Sequence, residues 1–320
     1  MKLKDLYTKA IDFGKKNDPR GIDGVQRMLH NNKRKYDRLS DAQKKEFDEE
    51  SLTNPYLDSR IVWGDENSDV SGVMVGIDIG VSELLLADRL REKGVTIDCV
   101  ISHHPIGKAL ASLYTVMGMQ ADILYGYGVP INVAESFTDE RSKEVERKLL
   151  PSNFMRVRDG ARLLAIPLVC LHTPCDNHVV TFLKILFEKE KPYLVEDVLK
   201  VIHSIPEYQA GITENFPPKV VVGDLSRRAG KIYVDMTGGT EGSKKLIKNM
   251  VQAGINTVVG MHFSEEHIKE AEAEKLTVII AGHIPSDNVG LNCLLDNIFK
   301  EETFSVVECS GFFRVKRNVS

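Results

Sequence analysis

The side chains best equipped for chemistry in this chain are four histidines and two aspartates that stand where three apolar runs end. VTIDCVIS runs into His103-His104-Pro105, LLAIPLVCL runs into His172-Thr173-Pro174-Cys175-Asp176, and LTVIIAG runs into His283-Ile284-Pro285-Ser286-Asp287. Each run reads as a buried strand. In open α/β sheets ligands bind in the crevice beyond the carboxyl ends of the strands, so the six side chains are placed to converge. Neutral imidazoles suit divalent transition metals and a carboxylate can bridge two of them, which points to a dinuclear centre more than to a single structural zinc. Adjacent histidines leave an extended backbone in different directions, so His103 and His104 can each serve a different ion. His-x-x-x-Asp occurs twice, at 172–176 and 283–287, and on a helical turn that spacing brings both side chains to one face. A single histidine at a strand end is usually structural; the weight here lies in the joint placement. His30, His178, His203, His262 and His267 have no such setting and read as structural or solvated, although His178 and His262 lie close in sequence to the motif strands.

Rigid elements must hold these donors. From Val73 onward short apolar runs alternate with amphipathic helices, as VMVGIDIG, SELLLADRLREKG and VTIDCVISHHP, which predicts a right-handed βαβ unit in a mostly parallel sheet. ARLLAIPLVCLHTPCD predicts a further buried strand leading into a helix with Val179, Phe182, Leu183 and Leu186 on one face. Between about 190 and 282 the theme repeats through KIYVDMTGG, SKKLIKNMVQAG, INTVVGMH, SEEHIKEAEAEK and LTVIIAGH. A helix carrying Leu291, Leu294, Leu295, Ile298 and Phe299 and the apolar strand FSVVECSGFFRV follow. Upstream, Leu3, Leu6, Tyr7, Ala10 and Ile11 fall at helical spacing and Ser40 to Gln43 form a capping box, so the first sixty residues read as a helical arm. The expected division is an N-terminal arm over 1–65, a metal-site α/β domain over 66–188 plus 283–320, and a second α/β domain over 189–282.

Three local expectations accompany this division. Thr138 is expected to cap the helix TDERSKEVERKLL. The turn Gly238-Gly239-Thr240-Glu241-Gly242-Ser243 opens a helix after a strand, where backbone N–H groups can hold a phosphate, or where glycines serve close packing. Cys170 reads as core and Cys175 as the more exposed thiol.

Composition bounds the function. At 320 residues the chain exceeds one average domain of ~150, and 42% apolar residues can fill a sizeable core. Lys plus Arg number 42 against 46 Asp plus Glu, a net charge of -4 that argues against a general polyanion binder and makes direct nucleic-acid contact an unattractive reading. Five cysteines without regular spacing read as reduced thiols in a cytoplasmic protein. No run approaches the ~20 apolar residues of a membrane span, and no membrane partner is expected.

Together, His103-His104-Pro105 after a buried strand, His172-Thr173 with Asp176, Gly238-Gly239 before a helix, and Gly282-His283 with an acid four residues on resemble the NIF-three-like family, also described as GTP cyclohydrolase I type 2-like dinuclear metal-binding proteins. The resemblance covers roughly residues 72–110 and 160–320. It implies two facing α/β domains with a dinuclear metal site between them, and an N-terminal helical extension here. It implies that His103, His104, Asp176, His283 and Asp287 bind two divalent ions per chain, with His172 matching the histidine beside that site; in a hydrolase His172 is the expected catalytic residue, as general base or proton shuttle within hydrogen-bond reach of the metal-bound water. Zinc, iron and manganese lead among the metals such ligands accept. A homo-oligomer, in the family often a toroidal hexamer, is implied as well. The chain departs from the family in having Asp287 where Glu is usual, and Val259-Gly260-Met261 where the family has Thr-Gly-Glu.

The function expected from these residues is a dinuclear metal-dependent hydrolase acting on a nucleotide or related phosphorylated small molecule. The alternatives are a metal carrier or insertase without catalysis, and a regulatory protein-interaction scaffold.

Overall fold

The computed structural model describes residues 1–300 and 304–317. Its mixed α/β fold contains two sheets with the strand ends of both turned to one cavity. The chain opens with α1 (Leu3–Lys16), α2 (Gly21–Asp37) and α3 (Asp41–Glu46), the last capped by Ser40 with Gln43 as the sequence predicts. Next come β1 (Arg60–Trp63), β2 (Gly72–Gly76), α4 (Val81–Glu92) and β3 (Cys99–Ser102). The helices α5 (Lys108–Ala111), α6 (Gly118–Tyr127), α7 (Ile131–Leu149) and α8 (Met155–Leu163) precede β4 (Leu168–Cys170) and α9 (Thr173–Glu190). The second sheet is built from α10 (Val195–His203), α11 (Pro206–Thr213), β5 (Lys219–Val222), β6 (Lys231–Asp235), α12 (Ile247–Gln252), β7 (Ile255–Gly260), α13 (Glu265–Ala273) and β8 (Thr277–Ile280). The chain then returns to the first sheet through α14 (His283–Ile298) and β9 (Ser305–Cys309).

The first sheet has the order β1-β4-β3-β2-β9 and the second β5-β8-β7-β6. Each is parallel except for one antiparallel edge strand, β1 against β4 and β5 against β8. Central strands such as β2, buried at every position, carry the continuous apolar runs that two-sided burial demands. Register then sets the strand ends side by side. Gly76 pairs with Ser102 and Ser102 with Cys170, so Ile77-Asp78, His103-His104 and Leu171-His172 leave one edge together. Because β1 runs antiparallel to β4, with Arg60 opposite Cys170, the residues preceding β1 lie beyond the carboxyl end of β4. That puts Asp58 and Ser59 next to His172. In the second sheet Asp235 pairs with Gly260 and Gly260 with Ile280, which aligns Met236, Met261-His262 and His283 in the same way.

Packing joins the two histidine helices. α9 and α14 approach so closely that a Cβ on Gly290 would sit 2.5 Å from the carbonyl oxygen of Cys175, a contact only glycine permits. α1 is no loose appendage, since Leu3, Leu6 and Ala10 are fully buried against Val73 and Val75 of β2, Ile101 of β3 and Leu291, Leu294 and Leu295 of α14. Ion pairs tie down the connection from α1 to β1, a buried one from Arg20 to Asp18 at 2.8 Å and partly exposed ones from the buried Arg60 guanidinium to Asp48 and Glu50.

Two local expectations are corrected. Thr138 lies inside α7 and not at its start, because Pro130 presets the first turn and Val133, Ala134 and Phe137 extend the apolar face upstream of the TDE sequence. Cys175 is fully buried between α1, α9 and α14, so its thiol is core like that of Cys170. Among the described residues no helix is long and apolar enough to cross a membrane.

Candidate metal centre

Three of the four histidines, His103, His104 and His172, are oriented by an acceptor behind the ring. His103 follows β3 with its backbone N–H donated to Gly76 O at 3.0 Å, and its Nδ1 meets Leu171 O at 3.1 Å. His104 Nδ1 lies 2.6 Å from Asp78 Oδ1, and His172 Nδ1 lies 2.8 Å from Asp58 Oδ2. Thr173 Oγ1 also donates to Asp58 Oδ2 at 2.6 Å, while the His172 backbone N–H donates to Ser59 Oγ at 2.9 Å. An acceptor at Nδ1 selects the tautomer with the proton there, which leaves the Nε2 lone pair free to ligate. All these Nε2 atoms turn inward.

Inside, the donor atoms gather round two carboxylates. His103 Nε2 stands 3.3 Å from Asp287 Oδ1 and 3.5 Å from Asp176 Oδ1. Asp287 Oδ2 faces the other way, 3.5 Å from His104 Nε2 and 3.7 Å from His283 Nε2, and those two nitrogens are 3.4 Å apart. His172 Nε2 is 3.7 Å from Asp176 Oδ2. Most of these separations are too long for good hydrogen bonds. They match the ~3.3 Å expected between neighbouring ligands of a tetrahedral ion with bonds of ~2.0–2.1 Å. Two triads, His103 with His172 and Asp176, and His103 with His104 and Asp287, each bring their donor atoms within 4.8 Å of one another. His103 Nε2 and both Asp287 oxygens are buried without a hydrogen-bond partner. A buried, unpartnered carboxylate costs several kcal/mol or more unless a cation compensates it, so these His/Asp groups fit a metal ion.

Burial and mutual charge displace the titrations. Burial pulls the His103 imidazole down, but Asp287 and Asp176 outweigh it and hold its pKa above the usual histidine value. Burial and the neighbouring His103 push His104 down to about 4, while His283 is lowered chiefly by burial. His172 is lifted to about 9, because Asp176 and Asp58 overcome its burial. Burial raises Asp176 to about 6 against the pull of His172 and His103. Burial also opposes ionisation of Asp287, yet His103, His283 and His104 together hold its carboxyl below the ordinary range.

All six residues named from the sequence therefore meet in one place. Asp58, Asp78 and His262 belong to the same neighbourhood and were not in that set. Asp78 had a legible signal, a lone acid just after the apolar VMVG run. Asp58 had none, since its partner is 114 residues away. The His262 ring lies 4.9 Å from that of His283 and lines the same cavity, so the structural reading of His262 is revised. His178 is structural as expected, its ring held between Pro174 O at 2.7 Å and Asn17 Nδ2 at 3.1 Å.

The glycine turn serves close packing. Gly238 and Gly239 have φ of 95° and 88°, and Cβ atoms there would come 2.7 Å from Gln120 Cγ and 3.0 Å from Val116 Cγ2. Gln120 Nε2 donates to Gly238 O and Thr240 O, and the helix α12 begins only at Ile247.

The centre opens on a cavity of about 280 Å³ between the two sheets. The NIF3 superfamily protein from Sphaerobacter thermophilus superposes with a TM-score of 0.69 and 28% identity, over 80% of this chain and 91% of that one. Reduced HcgD from Methanocaldococcus jannaschii shares the fold at a TM-score of 0.51 and 16% identity, over 78% of this chain and 88% of that one. These structural matches support a NIF3-like family for the chain. No protein-family model matches the sequence, and comparison with curated proteins gives no match.

Proposed function

We propose that this protein is a dinuclear metal-dependent hydrolase. The observation that carries the reading is Asp287, whose two buried, unpartnered oxygens face different histidines, Oδ1 toward His103 at 3.3 Å and Oδ2 toward His104 at 3.5 Å. On this reading His103, Asp176 and Asp287 hold one ion, and His104, His283 and Asp287 the other. Zinc, iron and manganese all suit such a set of imidazoles and carboxylates. Two divalent ions there supply Lewis acidity and acidify water toward neutrality.

The remaining steps belong to the protein. Leu171 O, Asp78 and Asp58 fix the imidazole tautomers, so the donor set is preorganised. His172, backed by Asp58 and facing Asp176, takes and returns protons at Nε2. Leu110, Leu113 and Met261 line the cavity and limit access of bulk water. A homo-oligomer remains part of the proposal; the apolar Leu85 and Leu86 of α4 and Leu163 of α8, all exposed on neighbouring helices, are a surface suited to burial against another copy.

The test is hydrolysis of a panel of esters and amides by protein reconstituted with zinc, iron or manganese, beside chelator-treated protein and Asp287→Ala. Metal-dependent turnover that disappears in the variant is expected. Two tightly bound ions without turnover on any substrate would overturn the hydrolase reading in favour of a metal carrier.

A further inference from the structure

We infer that the substrate of this centre is a small amine-bearing compound, whose cation is received by Asp235 and Glu241 on the part of the cavity wall that follows β6, and not a nucleoside polyphosphate. This inference rests on the proposed hydrolase only for its reaction; the recognition wall is separate from the donor cluster.

The cavity brings two groups of polar side chains together: His104, His172, His283 and Asp176 of the donor cluster, and, from the ends of β6 and β7, Asp235, Thr240, Glu241 and His262, the last with its ring 4.9 Å from that of His283. Asp235 Oδ1 accepts the Tyr233 hydroxyl at 3.1 Å, and Glu241 Oε1 accepts the Ser264 backbone N–H at 2.7 Å with His267 Nδ1 3.2 Å away. Each carboxylate thus has one oxygen committed to positioning. Asp235 Oδ2 and Glu241 Oε2 have no hydrogen-bond partner among the described residues, which leaves two negative acceptors for a donor in the cavity.

Neutralising groups are spent elsewhere. No lysine or arginine among the described residues lines the cavity. Arg141 reaches this wall only to donate Nε to the backbone oxygen of Glu241 at 3.1 Å, and its guanidinium pairs with Glu144 at 2.9 Å. Lys244 pairs with Glu266. Phosphate groups are ordinarily met by Arg or Lys forks, by open helix N-termini or by metal ions, and away from the donor cluster this wall offers none of these. Leu110, Leu113, Met236 and Met261 supply apolar contact for the hydrocarbon body of a ligand. At about 280 Å³ the cavity falls just below the ~300–1,000 Å³ of drug-sized ligand sites, which suits a small compound. The amine end then sits at Asp235 and Glu241, and the scissile bond lies toward the histidines. Hydrolysis adds water across that bond, hydroxyl to the electrophilic carbon and proton to the leaving group.

Calorimetric binding of three probes tests the inference: N-acetyl-1,4-diaminobutane, its uncharged analogue N-butylacetamide, and GTP. Each is titrated into metal-loaded and chelator-treated protein, with metal content measured on the same samples. The cationic amide is expected to bind on the order of tenfold more tightly than the neutral one in both samples, as suits a charge-assisted hydrogen bond. Glu241→Gln and Asp235→Asn should each shrink that ratio while leaving the neutral amide unaffected. Equal binding of the two amides, an unchanged ratio in both variants, or preference for GTP would overturn the inference. Absence of metal with the cation preference intact would instead sink the dinuclear reading alone.

Discussion

At the scale of single residues, Asp287 and His172 divide the work. If Asp287 joins the two ions, Asp287→Ala should bind at most one ion per chain, whereas Asp287→Glu, the residue usual in the family, should retain two; elemental analysis of the purified variants checks both. If His172 moves protons, His172→Gln keeps its metal while kcat falls on the order of 10²–10⁴-fold. Loss of metal in that variant would make His172 a ligand, as its triad with His103 and Asp176 permits. Asp235 gives a prediction in pH. Burial lifts its carboxyl from 3.8 to about 6, so between those values the folded state keeps a proton that the unfolded chain releases. The native Asp235 therefore destabilises the fold increasingly as pH rises from about 4 to about 6. Asp235→Asn should melt at nearly the parent's temperature at pH 4 and clearly above it at pH 8; a gain confined to the acid side contradicts the assignment. The six donors were legible because strand-end histidines paired with acids make a local pattern. Asp58 and the Asp235–Glu241 wall were not, because their meaning depends on which strand ends lie opposite one another.

At the scale of elements, the centre depends on how α9 meets α14 and on how β1 enters the sheet. Gly290→Ala forces a Cβ against the Cys175 carbonyl, and overpacking of this kind costs ~1–3 kcal/mol. Separating the helices also separates Asp176 from Asp287, so weakened metal retention should accompany the lower Tm. Asp58→Asn tests the antiparallel start of β1. The amide can accept only in part what the carboxylate accepts from His172 and Thr173, so activity should fall with the two ions retained and the pH profile of kcat moved to lower pH, where a merely structural role would leave the profile in place. The alternation of apolar runs and amphipathic helices made the parallel strands readable from Val73 onward. The start of α7 escaped because Thr138-Asp139-Glu140 imitates a capping signal inside a helix that Pro130 had already begun.

At the scale of the molecule, two similar sheets, each parallel with one antiparallel edge, face their carboxyl ends across a single cavity. The N-terminal segment was legible as helix from its spacing. Its burial was not, because the partners of Leu3 and Leu6 include α14, nearly three hundred residues downstream. Leu6→Ala should accordingly cost ~2–5 kcal/mol, as for a core leucine, where an exposed arm would lose little. The proposed oligomer belongs to this scale too. Leu85→Glu combined with Leu163→Glu should lower the mass seen by light scattering without changing the metal content. The central claim, that the strand-end histidines and aspartates of both sheets build one dinuclear centre, is tested most directly by anomalous diffraction from crystals of metal-loaded protein. Two peaks flanking the Asp287 carboxylate, one beside His103 and Asp176 and one beside His104 and His283, are the predicted result. A single peak, or none after reconstitution, would contradict it.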